Sequence, residues 1–161
     1  MINQLLQVIG QEAHLFEDFL ALLDKQKQML VSNDVSALNE VTELQRQKII
    51  ESQRLDRIRE KIIDEIKTEA AIDGDVTVSR LLEIADRDQA ERLLQLKEII
   101  FSLNDRINEA RNTNAMLLNQ SREFIARTMR MLSKINNPDR TYDRHGSSPE
   151  GHSTVVVDRR I

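Results

Sequence analysis

The chain has 161 residues, of which 31% are charged, 40% apolar and 3% aromatic, with no Trp, no Cys and a single Tyr, Tyr142. A formal charge of 23 − 27 = −4 is too mild for wholesale nucleic-acid binding, and the lack of cysteine excludes disulfides, thiolate metal sites and a Cys nucleophile. Four Gly and two Pro are too few for sandwiches or barrels, and the Leu, Ile, Glu, Gln, Arg and Asn content is that of long helices. No apolar run approaches the ~20 residues that span a bilayer. The opening MINQLLQVIGQEAHLFEDF lacks the basic start and small-residue cleavage site of a signal peptide. A soluble, cytoplasmic, all-α protein is expected.

The first predicted helix covers residues 2–31. Ile2, Ile9, Phe16, Leu23 and Leu30 recur every seven residues, with Leu6, Ala13 and Leu20 four residues after Ile2, Ile9 and Phe16. This 4-3 alternation lines one side of a helix and packs best against another long helix. Lys27 interrupts it, and Ser32-Asn33-Asp34 breaks the chain, with Asp34 placed to cap the next helix. That second helix, 35–71, is less regular: Val35, Leu38 and Val41, then Leu55, Ile58, Ile62 and Ile66, with polar Gln45, Lys48 and Ser52 between. Asp73-Gly74-Asp75 is a break. A short helix at about 78–86, capped by Thr77 or Ser79, precedes a last helix at 88–135, opened by a capping box of Asp88 and Glu91.

The last helix is the most informative stretch. Leu93, Leu96, Ile100, Leu103, Ile107, Ala110, Asn114, Leu117, Ser121, Phe124, Thr128, Met131 and Ile135 alternate by three and four without a slip. Such a helix runs about 70 Å at ~1.5 Å per residue and is not stable alone, so the first two segments are expected to fold back along it. The predicted fold is therefore all-α: an elongated, antiparallel, coiled-coil-like helical hairpin or bundle over residues 1–135, with one long C-terminal helix. Residues 136–161 hold both prolines, two of the four glycines and two of the three histidines, His145 and His152, and read as a disordered tail.

Little in the chain speaks of catalysis. A carboxylate-bridged metal pair needs Glu-x-x-His motifs on two helices, whereas His14, the one histidine of the helical part, follows Gln11 at that spacing. No phosphate-binding loop and no scaffolded Ser/His/Asp set is present, so neither cofactor nor metal is expected. Between Arg111 and Ile135, five cations (Arg111, Arg122, Arg127, Arg130, Lys134) face one Glu123, a local 5 − 1 = +4. That excess suits the C-terminal half of a helix dipole, and without aromatic stacking residues it makes a poor case for nucleic acid.

The same region carries surplus hydrophobicity. Leu118, Ile125 and Leu132 repeat at seven residues beside the main seam, with Met129 filling in. With Met116, Leu117, Phe124, Met131 and Ile135 they make residues 116–135 apolar on more than one stripe, while the seam turns polar at Asn114, Ser121 and Thr128. Three of the five methionines fall here, and methionine suits adaptable binding surfaces. The stripe reads as a partner-binding face, as the interface of a homodimer or larger homo-oligomer, or as ordinary core.

Three features together resemble the FlgN-type chaperones of the flagellar type III export system. One is Asn-x-x-Leu-Leu-x-x-Ser-x-x-Phe-Ile, formed here by Asn114, Leu117, Leu118, Ser121, Phe124 and Ile125. Another is the interrupted N-terminal hairpin, with Leu30, Asn33-Asp34, Leu38 and Val41 before a helix bearing Lys48. The third is Tyr142-Asp143-Arg144-His145-Gly146, a Tyr closely followed by Gly just past the last helix. The resemblance implies a non-enzymatic chaperone that binds the C-terminal helical regions of hook-associated proteins, prevents their premature assembly or degradation and delivers them to the export gate. It places client binding on the C-terminal part, where Leu118, Ile125, Met129 and Leu132 would form the receiving surface and Arg122 and Arg130 would orient acidic client groups. By position, docking to the cytoplasmic domain of the export-gate protein FlhA would fall to Tyr142. Residues 147–161, with Val155-Val156-Val157, depart from the family's pattern.

Overall fold

The computed structural model describes residues 1–136, with side chains through residue 133. The predicted tail from residue 137, with Tyr142, and the side chains of Lys134 and Ile135 lie outside the described residues. Four helices come in order: α1 (Ile2–Ser32), α2 (Val35–Glu69), α3 (Val78–Ile84) and α4 (Arg87–Asn136). Among the described residues there is no strand, and no helix is long and apolar enough to cross a membrane. The chain divides into two compact units, Met1–Glu123 and Phe124–Ile161.

Each break in the first unit has a local cause. Asn33 turns the chain out of α1 in the left-handed conformation, φ 55°. Its own N–H and that of Asp34 close on the carbonyls of Leu30 and Met29, at 3.4 and 3.1 Å, as a Schellman ending requires. Asp34 then caps α2 as expected, its carboxylate accepting the Ala37 N–H at 3.0 Å. α2 stops two residues earlier than the sequence pattern suggests. Ala71 takes φ 47°, and Ile72 N–H returns to the Lys67 carbonyl at 3.0 Å, so the same ending is built on an alanine. Thr77, rather than Ser79, caps α3 by accepting the Arg80 N–H.

The start of α4 corrects the predicted capping box. Ala85 is extended, φ −81° and ψ 145°, which ends α3 at Ile84 and makes Asp86 the cap. The Asp86 carboxylate accepts the Gln89 N–H at 2.8 Å, and the Gln89 side-chain oxygen accepts the Asp86 N–H at 3.1 Å. Asp88 instead falls in the first turn, where its charge complements the positive end of the helix dipole.

Helix α1 is buried on two seams. Along one, Ala13, Leu20 and Leu23 pack with Leu103 and Ile107 of α4. The other reads Leu5, Val8, Glu12, Leu15, Phe19, Leu22, Gln26 and Met29, buried or half-buried throughout, and its two polar members reach α2: Glu12 to Arg59, and Gln26 to Gln45. Leu5, Leu6 and Val8 form a further cluster with Ile62 and Ile66 of α2, Leu81 of α3, and Leu93 and Leu96 of α4. The start of α1 thus meets the start of α4 and the end of α2. Within this unit α1 and α4 run parallel, with α2 antiparallel to both.

The seam of α4 keeps to its sequence pattern through the first unit. Leu93, Leu96, Leu103, Ile107 and Asn114 are buried, and Ile100, Ala110, Leu117 and Ser121 are half-buried. It does not continue to the end of the helix. In the second unit Phe124, Thr128 and Met131 are exposed.

Candidate functional site

A cleft of about 700 Å³ opens among the three long helices of the first unit. Phe19, Leu23 and Leu30 of α1, Leu38 of α2, and Ala115 and Leu118 of α4 supply its apolar lining. Five side-chain amides line it, Gln26 of α1, Gln45 of α2, and Asn108, Asn112 and Asn114 of α4, and three of them, Gln26, Gln45 and Asn114, are hydrogen-bonded in a relay. Asn114, 6% exposed, donates from Nδ2 to the Leu23 carbonyl at 2.9 Å and to Gln26 Oε1 at 2.8 Å. Gln26 Nε2 donates in turn to Gln45 Oε1 at 3.2 Å. Gln45 is 8% exposed, and its Nε2 has no partner; neither has Asn114 Oδ1. Each orphan costs about 1–3 kcal/mol of desolvation, so this end of the bundle carries polar groups that stabilise it little.

The sequence-predicted residues Asn114 and Leu118 meet in this cleft. Leu118 is 45% exposed, while Leu117 and Ser121 are half-buried and Arg122 is exposed. Gln26, Gln45, Phe19 and Leu38 are absent from the sequence-predicted set. Gln45 and Asn114 are visible in the sequence as polar interruptions of apolar seams, whereas Gln26 falls outside the seam that the sequence shows for α1.

In the second unit, α4 carries Phe124, Ile125, Met129, Met131 and Leu132, all between 51% and 71% exposed. At ~100° per residue their side chains span about 160° of the helix circumference, with Ile125, Met129 and Leu132 closest together. Such a width is what a helix normally turns to a core. Arg130 is also exposed and stands off the apolar arc. Tyr142 lies outside the described residues. From Phe124 on, the surplus stripe is therefore not core among the described residues.

Other chemistry has little to build on. His14 is exposed and shares a 3.3 Å contact with Glu17. Among the described residues no group of three or more His, Asp or Glu side chains could hold a metal ion.

No curated protein and no solved structure matches the chain. The family model described as FlgN protein matches residues 1–150. The chain therefore belongs to the FlgN family, flagellar export chaperones for hook-associated proteins.

Proposed function

We propose that this chain is a non-enzymatic chaperone that binds the C-terminal helical segments of hook-associated proteins and delivers them to the flagellar type III export gate. The observation that carries this reading is the apolar arc of α4, where Ile125, Met129 and Leu132 are 60%, 63% and 51% exposed. An amphipathic segment that is unfolded before assembly can lay its apolar face on such a surface, with anchors at three- and four-residue spacing. Ordering that segment consumes part of the gross binding energy, so the complex stays releasable. Asn114, Leu117, Leu118, Ser121, Arg122, Phe124, Ile125, Met129, Arg130 and Leu132 are the proposed client-binding residues, the arginines pairing with acidic client groups. Binding a client before export places the chain in the cytoplasm.

Calorimetric titration with the C-terminal segment of a hook-associated protein from the same organism tests the reading. Saturable binding with a negative heat-capacity change is expected. Ile125→Asp should weaken it at least tenfold, since one charge in a desolvated apolar contact costs more than ~1.4 kcal/mol, while helicity by circular dichroism stays within a few percent. Unchanged affinity would remove Ile125 from the binding face. Docking to the cytoplasmic domain of FlhA is assigned to Tyr142. Tyr142→Ala should leave client affinity unaltered and abolish pull-down of the FlhA domain, and a loss of client affinity would contradict that division.

A second reading is favoured by the same exposure: the arc of α4 could seal a homodimer, making the chain a structural coiled-coil protein.

A further inference from the structure

Acidic residues make up 27 of the 161, yet none of the described residues lining the cleft among α1, α2 and α4 is an Asp or Glu. Helix geometry keeps them out. At ~100° per residue, the six acids of α4 from Asp88 to Glu123 point on average about 130° away from Asn108, Arg111, Ala115 and Leu118, which line the cleft. On α2 the acids at the same level, Glu40, Glu43 and Glu51, turn at least about 130° from Leu38, Thr42 and Gln45. Two cations of α4 do not turn away: Arg111 lines the cleft, and Arg122 stands three turns on, within about 20° of the same direction. Both are exposed, and among the described residues neither has a carboxylate partner, whereas Arg46, Arg59 and Arg80 each hold one. The apolar walls also run past the cleft itself. One heptad before Asn108 stands Phe101, 58% exposed, with Lys97 Nζ 5.9 Å from its ring centre, and one turn after Gln45 stands Ile49, 49% exposed.

We propose that this cleft docks an amphipathic helix of the client whose apolar side chains enter between the three helices and whose acidic side chains meet Arg111 and Arg122. The inference rests on the chaperone reading above and deepens it, because it gives the client helix a chemistry: apolar along one face, acidic along the adjoining one. Charge complementarity selects this occupant. A helix basic on that flank would set like charges against the two arginines, with no carboxylate in the cleft to offset them. A neutral helix would strip water from the guanidiniums and return nothing. Nucleic acid would need bases stacked on rings, and Phe19 is the one aromatic side chain among the described residues lining the cleft. Arg111 and Arg122 are about 16 Å apart along α4 at ~1.5 Å per residue, so carboxylates about eleven residues apart on a docked helix reach both. At about 700 Å³ the cleft has the size of a ligand site and takes the apolar anchors of such a helix at three- and four-residue spacing.

The test uses the full-length chain and the C-terminal segment of a hook-associated protein from the same organism, with each Asp and Glu of the segment replaced in turn by Asn or Gln. One or two replacements should lower affinity for the wild-type chain about threefold to tenfold. Arg111→Glu should bind the unaltered segment at least about tenfold more weakly, and a segment carrying Lys at the sensitive position should recover most of that loss. The chain has no Trp, so Asn112→Trp puts a single indole on the cleft, and its emission should move to shorter wavelength when the segment is added. Wild-type affinity in Arg111→Glu with unmoved emission overturns the docking site and leaves the chaperone reading standing. Affinity indifferent to every acid of the segment overturns it as well. Emission that shifts with protein concentration alone gives the cleft to a second copy of the chain, which also overturns the proposal. Absence of any binding by the wild-type chain removes both readings.

Discussion

Glu12 is a charged residue inside the seam between α1 and α2, 3% exposed. Arg59 approaches its Oε2 to 2.7 Å and is itself held by Asp56 at 2.7 Å, but Glu12 Oε1 has no partner. Burial raises the Glu12 carboxyl above its ordinary 4.5, outweighing the pull of Arg59 in the other direction. The folded chain therefore holds this proton more tightly than the unfolded chain. Stability from this group is fully present below about pH 4.5 and lost as pH rises through the raised value. Urea unfolding at about pH 4 and pH 7 checks the sign: Glu12→Gln should gain relative to wild type at the higher pH. Arg59→Met should cost about 2–3 kcal/mol at pH 7 by stranding a buried carboxylate, and less at pH 4. An Arg59→Met penalty independent of pH would show that Glu12 does not carry it. This seam was the part of the core not read from the sequence. Glu12 and Gln26 interrupt it, and a polar residue in a single helix reads as outward-facing. Only partners 47 and 19 residues away, Arg59 and Gln45, give these side chains a reason to face inward.

At the scale of elements, the long helices were legible because their seams are periodic over many turns, so boundaries erred by no more than two residues. The start of α4 was harder. Asp86-x-x-Gln89 and Asp88-x-x-Glu91 fit the capping pattern equally well, and what decides between them is where α3 lets go, at extended Ala85. The two aspartates should separate on mutation. Asp86→Ala removes the acceptor for Gln89 N–H and should cost about 1 kcal/mol, whereas Asp88→Ala loses only a favourable charge in the first turn, about 0.3–0.5 kcal/mol. Equal losses in denaturant unfolding would mean that the reciprocal box contributes nothing beyond charge. The candidate site shows the same division between periodic and non-periodic information. The apolar arc of α4 could be seen in the heptad spacing of Leu118, Ile125 and Leu132. The cleft could not, because it exists only where three helices come together.

At the scale of the molecule, both apolar clusters lie within residues 1–123, and the exposed arc belongs to the second unit. The residues of that arc belong to neither cluster, so the arc can be altered without dismantling the core. This separation makes the oligomeric alternative testable. Sedimentation velocity over a hundredfold concentration range should give a species that client peptide converts to a complex of one chain and one peptide. A dimer that persists at the lowest concentration and ignores peptide would assign the arc to self-association instead.

The parallel pairing of α1 with α4 has a consequence in time. Residues through Glu69 suffice to close the α1–α2 hairpin, but the seam of Ala13, Leu20 and Leu23 has no cover until Leu103 and Ile107 have been made. The 38 residues from Ala70 through Ile107 take about 2–8 s to add at ~5–20 residues per second. For those seconds the growing polypeptide displays, on its own first helix, a bare apolar stripe of the kind that its finished form is proposed to cover on others.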